Sequence, residues 1–198
     1  TTAGVPFATT VKVGVQDAWG NAVSSSTVIS PSLVDSISHQ ALTGNGITSA
    51  DANTDSLGVA TFTGMKFNRA GAVRIKFENA AGLATYSEPF TIAVAAPHHI
   101  TWVTQPDIVI EDRAVITKAP EAEIRDEFDN LVSTGYSATA TLATSNDTDA
   151  KILSNATRTA VGGKFTFSSM ALAAKVGTYS FVIDSLTVTK TSDSSSVT

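Results

Sequence analysis

Cysteine is absent from this 198-residue chain. Disulfide staples, thiolate nucleophiles and cysteine-based zinc sites are therefore excluded together. Charge is also scarce, with 16% charged residues and a net charge of −5. A nucleic-acid partner is not expected, because phosphate binding needs clustered Lys and Arg. No apolar run reaches the length of about 18 residues that would cross a bilayer, so no membrane span is predicted in this chain.

Residues that favour long helices are also few, because the chain holds only 2 Met and 6 Glu. Serine and threonine fill much of the composition instead, with 22 and 28 residues. Thr and Val favour pleated, half-buried strands over helices. A hydrophobic content of 42% argues against intrinsic disorder, which needs little hydrophobicity and high charge. The composition therefore predicts an all-β fold.

An internal repeat organises the chain. Three segments of its first half match three segments of its second half in the same order. The matched segments are 11–21 with 120–130, 58–65 with 163–170 and 71–77 with 177–183, at offsets of 109, 105 and 106. This period is too long for a solenoid, whose repeats have about 20–50 residues. We therefore predict two tandem domains, residues 1–96 and 97–198, joined near Pro97, where a proline should end strand pairing.

Each domain contains short alternating segments separated by turn residues, which is typical of a β-sandwich. Alternating apolar residues such as Val11, Val13 and Val15 would bury one strand face, so two sheets should pack face to face. No segment longer than about ten residues has the apolar period of a helix, and we predict no substantial helix. The predicted strands are 9–16, 26–29, 33–37, 59–65, 72–78 and 90–95 in the first domain, and 100–103, 116–125, 137–143, 164–170, 178–183 and 186–190 in the second.

The two domains differ at their ends. The strand-like segment 100–106 comes before the first matched segment of the second domain and has no counterpart in the first. The second domain stops about where its last strand would begin, unless 186–190 takes that role. We therefore expect an excerpt from a longer array, with a missing first strand in one domain and a doubtful last strand in the other. The open edges would be covered by neighbouring modules or by a strand from another chain.

Several motifs resemble tandem immunoglobulin-like repeats of the filamin and bacterial surface-protein kind. In the first domain they are Ala3-Gly4-Val5-Pro6-Phe7, Asp17-Ala18-Trp19-Gly20-Asn21, Gly58-Val59-Ala60-Thr61-Phe62 and Ser87-Glu88-Pro89-Phe90. In the second they are Ile100-Thr101-Trp102-Val103-Thr104-Gln105-Pro106, Asp126-Glu127-Phe128-Asp129-Asn130 and Gly177-Thr178-Tyr179. The second domain departs from the pattern, because Asp129 replaces the motif glycine and a Pro-Phe last strand is lacking. The resemblance covers nearly the whole chain and implies two tandem immunoglobulin-like β-sandwiches.

The resemblance also implies an extracellular, cell-surface protein, because similar repeats occur in adhesins, surface-layer proteins and gamete adhesion proteins. We interpret the chain as a non-enzymatic structural or adhesion module of a stalk, layer or filament. Its partners would be neighbouring immunoglobulin-like modules, other copies of itself or a cell-surface ligand. The alternative is a ligand- or carbohydrate-binding adhesion domain that acts through loops such as residues 39–58, since long loops often carry function. The fold by itself is compatible with many roles.

Asp17 and Asn21 end the first long strand of the first domain, and Asp126 and Asn130 do the same in the second. Asp and Asn side chains hydrogen-bond nearby backbone amides and tolerate left-handed geometry, which favours turn chemistry over calcium binding between domains. Trp19 and Phe128, the aromatic residues of the two motifs, are each predicted to plug one end of their sandwich.

Asp51, Asn53 and Asp55 have the alternating oxygen ligands of a calcium loop. The rest of the pattern fails, because the sixth position is a serine rather than glycine and the twelfth is a phenylalanine rather than glutamate. The segment also leads into a strand, where Asp, Asn and Gly are common turn residues. We therefore expect no metal and no cofactor, with calcium at these three residues as the alternative. Asp147 and Asp149 are a weaker calcium candidate.

Catalytic chemistry is not expected from this chain. The sequence has no Gly-x-Ser-x-Gly elbow and no glycine-rich phosphate loop. Adjacent strand residues point to opposite faces, so His98 and His99 cannot easily share a metal, and we predict that they lie in a solvated linker. Glu121 and Glu123 share a strand face and could form the acid–base pair of a glycosidase, but a solvated sheet face is the favoured interpretation.

Two N-glycosylation sequons, at Asn146 and Asn155, lie close together in the second domain. A Thr-rich chain yields such sequons by chance, so the pattern is weak on its own. In a secreted eukaryotic protein we expect at least one of the two asparagines to carry a glycan.

Overall fold

A computed structural model of the chain describes residues 1–24, 26–42, 46–106, 113–133, 135–142, 147–175 and 179–185. These residues form strands, turns and bends, and none of them lies in a helix. The described part of the chain therefore has no helix that is long and apolar enough to cross a membrane. The predicted all-β fold class is confirmed.

The chain divides into two compact units, Thr1–Ala95 and Ala96–Thr198. The assignment of residues 1–96 and 97–198 as separate domains stays a prediction. The strands of the first unit are β1 (Val11–Gly14), β2 (Val28–Asp35), β3 (Ile47–Thr48), β4 (Ala52–Asn53), β5 (Val59–Phe62), β6 (Lys66–Phe67), β7 (Gly71–Asn79), β8 (Ala84–Tyr86) and β9 (Phe90–Ile92). Those of the second unit are β10 (Pro97–Thr104), β11 (Glu121–Asp126), β12 (Ser137–Leu142), β13 (Lys151–Ser154), β14 (Thr157–Thr159), β15 (Lys164–Thr166), β16 (Ala171–Ala173) and β17 (Phe181–Ser185).

The first unit is a sandwich of antiparallel sheets. In the larger sheet β2 lies between β4 and β7, and β7 pairs along its other edge with both β8 and β9. Separate ladders join β1 to β5 and β3 to β6. Alternation explains the core, because Val73, Ile75 and Phe77 of β7 are buried while the residues between them are only half-buried. The largest fully buried side chains of this unit are Phe67, Met65, Ile75, Ile92, Val34 and Val73.

The second unit repeats this plan. β11 lies between β10 and β15, β12 lies between β14 and β17, and β13 pairs with β16. In β11 the residues Ala122, Ile124 and Asp126 are buried, and those between them are half-buried. The largest fully buried side chains are Phe165, Phe167, Phe181, Ile124, Met170 and Ile183. The predicted last strand, 186–190, lies outside the described residues.

Pro31 does not divide the chain into two strands, as the predicted strands 26–29 and 33–37 required. One strand, β2, runs through Pro31, which lies opposite Phe77 of β7. Ile75 bonds toward β8, with its carbonyl accepting the Ser87 N–H at 2.9 Å, and by alternation Phe77 also faces β8. Pro31 therefore faces away from β7, at a point where the pairing of β2 with β4 has already ended at Ile29. A missing N–H costs little at such an edge.

Two boundaries of the second unit also differ from the prediction. Pro97 does not end pairing, because it begins β10 and lies opposite Asp126 of β11. A proline fits the first position of an edge strand, where its missing N–H is not needed. The predicted strand 116–125 begins later, as β11, and Ile116 instead donates its N–H to the Met170 carbonyl at 2.8 Å.

Backbone hydrogen bonds recur at equivalent positions of the two units. The Gly4 N–H donates to the Phe67 carbonyl at 2.8 Å, and the Arg113 N–H donates to the Leu172 carbonyl at 2.8 Å. The donors are related by the 109-residue offset and the acceptors by the 105-residue offset found in the sequence. The segment before the first matched strand therefore takes the same path against the core in both units.

One glycine position is held by the same close packing in both units. Gly58 and Gly163 have left-handed φ angles of 74° and 81°. A Cβ added at Gly58 would lie 2.5 Å from the Val23 carbonyl oxygen, and one at Gly163 would lie 2.7 Å from the Val132 carbonyl oxygen. Only glycine meets both the conformational and the steric requirement at this position.

Candidate functional site

The first candidate is the turn that follows β1. The Asp17 Oδ1 atom accepts hydrogen bonds from the backbone N–H groups of Trp19 and Asn21, both at 2.9 Å. The Asn21 Nδ2 group donates to Asp17 Oδ2 at 3.0 Å, and Gly20 has a left-handed φ of 85°. The side chain and then the backbone of Asn21 hold the pKa of Asp17 below its ordinary value. Both oxygens of this carboxylate therefore serve the turn, as predicted.

The equivalent turn after β11 has the same geometry in a buried setting. Asp126 Oδ1 accepts from the N–H groups of Phe128 and Asn130, both at 2.9 Å, and Asn130 Nδ2 donates to Oδ2 at 2.9 Å. Asp129 replaces the motif glycine yet has a left-handed φ of 66°, which Asp tolerates better than most residues. Asp126 is 0% exposed, whereas Asp17 is exposed. The turn geometry is thus shared and its burial is not.

Asp126→Ala should destabilise the second unit by about 1–3 kcal/mol, the cost of leaving buried polar groups unpaired. The N–H groups of Phe128 and Asn130 would lose their acceptor where the fully buried carboxylate excludes water. Asp17→Ala removes the same bonds at an exposed turn, so its loss should be smaller. Urea denaturation followed by circular dichroism measures both. If Asp126→Ala lost no more stability than Asp17→Ala, burial of the turn would not strengthen its contribution to stability.

The calcium candidates lie in a segment where Asp55 holds a third turn of the same kind. Its Oδ1 atom accepts from the N–H groups of Leu57 at 2.8 Å and Val59 at 3.0 Å. These bonds, that of Val59 first, lower the pKa of Asp55. Asp51 and Asn53 are exposed, and Asn53 lies on β4. No group of three or more His, Cys, Asp or Glu that could hold a metal ion is found among the described residues. The expectation of no metal, with calcium at Asp51, Asn53 and Asp55 as the alternative, stays a prediction.

Asp147 joins two segments of the second unit. Its Oδ2 atom accepts from the Lys175 N–H at 2.9 Å and from the Tyr179 hydroxyl at 3.0 Å. The Lys175 Nζ lies 3.5 Å from Asp147 Oδ1 and 3.6 Å from Asp149 Oδ2. The Asp147 side chain is 8% exposed and that of Asp149 is 83% exposed. The Lys175 N–H and then the Tyr179 hydroxyl lower the pKa of Asp147, so this carboxylate is built into the fold.

Acid should weaken the second unit through Asp147. Its pKa in the folded chain lies below the ordinary value of 3.8, so its stabilisation is present above that value and is lost as the pH falls through the folded pKa. Asp147→Asn should therefore be less stable than the parent chain at neutral pH, and the difference should shrink on acidification. Urea denaturation at a series of pH values from 7 to about 3 measures this linkage.

Asp149→Asn is the matched control, because it removes one charge and leaves the Tyr179 and Lys175 hydrogen bonds of Asp147 in place. It should behave like the parent chain throughout. A stability difference for Asp147→Asn that stays constant with pH would contradict the linkage.

The two adjacent histidines lie on β10. The His99 Nε2 is 2.9 Å from Asp129 Oδ1, and its side chain is 18% exposed. The Nδ1 atoms of His98 and His99 are 3.3 Å apart. The pair therefore lies on a strand rather than in the predicted linker, because the strand extends farther toward its N-terminal end than the proline suggested. His98 is exposed, as predicted, and His99 is half-buried.

The paired acids of β11 are joined to neighbouring cations. Glu123 Oε2 lies 2.6 Å from the guanidinium of Arg125. Glu121 Oε2 lies 3.6 Å from Lys164 Nζ, and its other oxygen accepts from the Thr166 hydroxyl at 3.1 Å. The Glu123 and Glu121 side chains are 15% and 27% exposed. These two acids are therefore less solvated than predicted: Glu121 is paired across strands with β15, and Glu123 is paired with Arg125 on its own strand.

Trp19 does not plug the end of its sandwich, because 86% of the residue is exposed. The turn presents its ring to solvent instead. The loop 39–58, the other candidate contact region, contains β3 and β4, and its residues 43–45 lie outside the described residues. At its start the His39 ring stacks on Tyr86 with centroids 4.6 Å apart.

Sequence reasoning did not find a cleft of about 170 Å³ beside β1. Val13 and Val15 line one side of it, and Ile29, Phe77 and Leu83 of the larger sheet and its β7–β8 turn line the other. The missing counterpart of segment 100–106 was the signal for an open edge. The depth of the cleft depends on the facing sheet, which the local pattern does not report.

Both sequon asparagines belong to the second half of the chain. Asn146 lies outside the described residues. Asn155 is exposed in the turn between β13 and β14, with a left-handed φ of 59°. Its Nδ2 group donates to the Ser169 carbonyl at 2.9 Å.

No protein-family model and no curated protein sequence match this chain. Among solved structures, the Escherichia coli adhesin FdeC is similar, with a TM-score of 0.44 and 18% identity over 100% of this chain and 60% of that one. The Yersinia pseudotuberculosis adhesin InvE has a TM-score of 0.33 and 15% identity over 89% of this chain and 50% of that one. Domains 4 and 5 of the surface-layer protein SbsC have a TM-score of 0.32 and 13% identity, covering 95% and 93%. The chain thus spans less than two thirds of either adhesin chain, and its structural neighbours are adhesins and surface-layer domains.

Proposed function

We propose that this chain is a non-enzymatic structural or adhesion module of the cell surface, part of a longer extracellular array that forms a stalk, layer or filament. The observation that carries the proposal is the repetition of scaffold features. The hydrogen-bonded turn at Asp17 and Asp126 and the closely packed glycine at Gly58 and Gly163 recur in both units.

The hydrogen bonds of the candidate acids also support a structural role. At least one carboxylate oxygen of each accepts hydrogen bonds that hold a turn or join two segments, and this is true of Asp17, Asp55, Asp126 and Asp147. Carboxylates used in this way define shape. A chain whose role depends on its shape suits a tandem array, because each module folds around its own core and keeps a fixed geometry.

The proposed partners are neighbouring modules of the same kind, other copies of this chain, or a ligand on another cell. Exposed strand edges favour the first two, because unpaired N–H and C=O groups readily accept a further strand.

Antibody raised against residues 1–198 and applied to intact source cells tests the proposal. By immunogold electron microscopy we expect labelling of the outer cell surface, and permeabilising the cells should not increase the density of the label. Labelling confined to permeabilised cells would overturn the proposed location and with it the structural role at the cell surface.

We also propose that Asn155 carries a glycan when the chain passes through a eukaryotic secretory pathway. The side chain is exposed and its amide donates a single hydrogen bond, which leaves its second hydrogen available. Enzymatic deglycosylation should lower the mass of the parent chain, and Asn155→Gln should remove most of that shift. Asn146→Gln separates the contribution of the other sequon. A mass unchanged by deglycosylation would contradict the proposal.

A further inference from the structure

The two units differ at the outer edge of equivalent strands. In the second unit β10 covers the outer edge of β11, with Ile100 opposite Ile124 and Trp102 opposite Ala122. By the 109-residue offset, β1 is the equivalent of β11. Within residues 1–24, 26–42 and 46–95, β1 pairs with β5 alone, so its outer edge is open.

Residues of the covered strand β11 are more deeply buried than their equivalents on β1. Ala122 and Ile124 of the covered strand are 0% exposed. Their equivalents Val13 and Val15 are only half-buried. Gly14, which lies between them and faces the opposite side of the sheet, is exposed.

The open edge also presents backbone hydrogen-bonding groups in the required direction. The Val15 N–H donates to the Gly58 carbonyl at 2.9 Å, on the side of β5. Successive residues of a strand direct these groups to opposite sides. The N–H and C=O groups of Gly14 and Lys12 therefore point toward the open edge.

Behind this edge lies the cleft of about 170 Å³ between the sheets. Ile29 and Phe77 form its floor on the facing sheet, and Leu83, which is 63% exposed, stands at its rim. An added strand would place inward side chains over this apolar floor and cover Leu83. Burial of such area is the main favourable term in strand addition to a sandwich.

The pattern of β10 fits this edge. Ile100 and Trp102 are half-buried, while Thr101 and Val103 between them are exposed. Transferring the β10 register onto β1 places a residue of the Ile100 type opposite Val15 and one of the Trp102 type opposite Val13. Because cross-strand neighbours point to the same face, both side chains would lie over the cleft.

We propose that the open edge of β1 is completed by an antiparallel strand of the β10 type, contributed by a further segment of the same repeat. The proposal rests on the proposed function for the existence of such a segment, and it names the surface that the segment covers. It predicts the direction, the register and the inward residues of the incoming strand.

A fusion tests it on the whole chain. Because Thr1 corresponds to Ile110 by the 109-residue offset, a second copy of segment 97–109 joined directly before Thr1 reproduces the spacing of the second unit. We expect the unfolding equilibrium constant of the first unit to fall by about tenfold or more, from the buried inward side chains. Amide exchange at Lys12 and Gly14, measured by NMR, should slow in the fusion and not in the parent chain.

The matched control carries I100D and W102D in the fused segment only, and it should show neither effect. Absence of both effects in the unmodified fusion would overturn the proposal. So would stabilisation without protection of Lys12 and Gly14, which would place the added segment elsewhere. Protection of these amides in the parent chain that rises with its concentration would assign the edge to a second copy instead. None of these results alters the surface-labelling result, so the two proposals fail separately.

Discussion

Phe67→Ala is expected to remove about 3–5 kcal/mol from the free energy of unfolding of the first unit, the usual loss for a deleted core phenyl ring. Phe67 is 0% exposed. Its ring centroid lies 5.7 Å from that of Phe7 and 5.4 Å from that of Phe90. The backbone of Phe67 is also held in place, because its carbonyl accepts the Gly4 N–H at 2.8 Å. The cavity can therefore close only in part, which places the loss in the upper range for core truncations.

Urea denaturation followed by NMR signals of the first unit measures this loss without interference from the second. Leu57→Ala is the control, because Leu57 is 70% exposed and its truncation should change stability by no more than about 0.5 kcal/mol. A loss for Phe67→Ala as small as that of the control would show that this aromatic cluster is not the core of the unit.

Gly58→Ala should destabilise the first unit by about 3 kcal/mol, from left-handed strain of about 1–2 kcal/mol and a steric clash in addition. The new Cβ would stand 2.5 Å from the Val23 carbonyl oxygen, an approach that backbone must move to relieve. Gly163→Ala should act similarly on the second unit, since its Cβ would meet the Val132 carbonyl oxygen at 2.7 Å. Thermal and urea denaturation of both variants measure the effect.

Gly20→Ala separates the two components. Gly20 shares the left-handed φ but has no heavy atom within 4 Å of its added Cβ. Its substitution should therefore cost only the conformational term of about 1–2 kcal/mol. If Gly58→Ala proved no more harmful than Gly20→Ala, the close approach of Val23 would carry no energetic weight.

The turns were predictable because their chemistry is local. The Asp at the start of each motif bonds to N–H groups two and four residues ahead, as Asp17 does with Trp19 and Asn21. A single stretch of sequence therefore contains both partners. Even Asp129, which departs from the motif glycine, keeps the left-handed backbone, so the geometry of the turn is more constant than the residue that forms it.

Strand extent was less predictable. Pro31 indicates a break by its local properties, yet β2 continues through it because its N atom faces an edge where pairing has ended. Pro97 likewise begins a strand that pairs with β11. The short strands β3, β6 and β16 were not predicted. Two or three residues are too few to show a clear alternation, and the strand geometry of these segments depends on pairing with a distant segment.

The sequence alone determined the all-β class, the duplication and the placement of the turns, because composition, repeat offset and Asp–Asn–Gly chemistry act over a few neighbouring residues. Only the tertiary structure decided which equivalents are buried. Asp126 is enclosed while Asp17 is not, and Trp19 stands in solvent. The open edge of β1 and the cleft behind it were decided in the same way. Burial and strand pairing depend on segments far apart in the chain. Two copies with matching local patterns can therefore differ where one strand is paired along both edges and its equivalent, among the described residues, is paired along one.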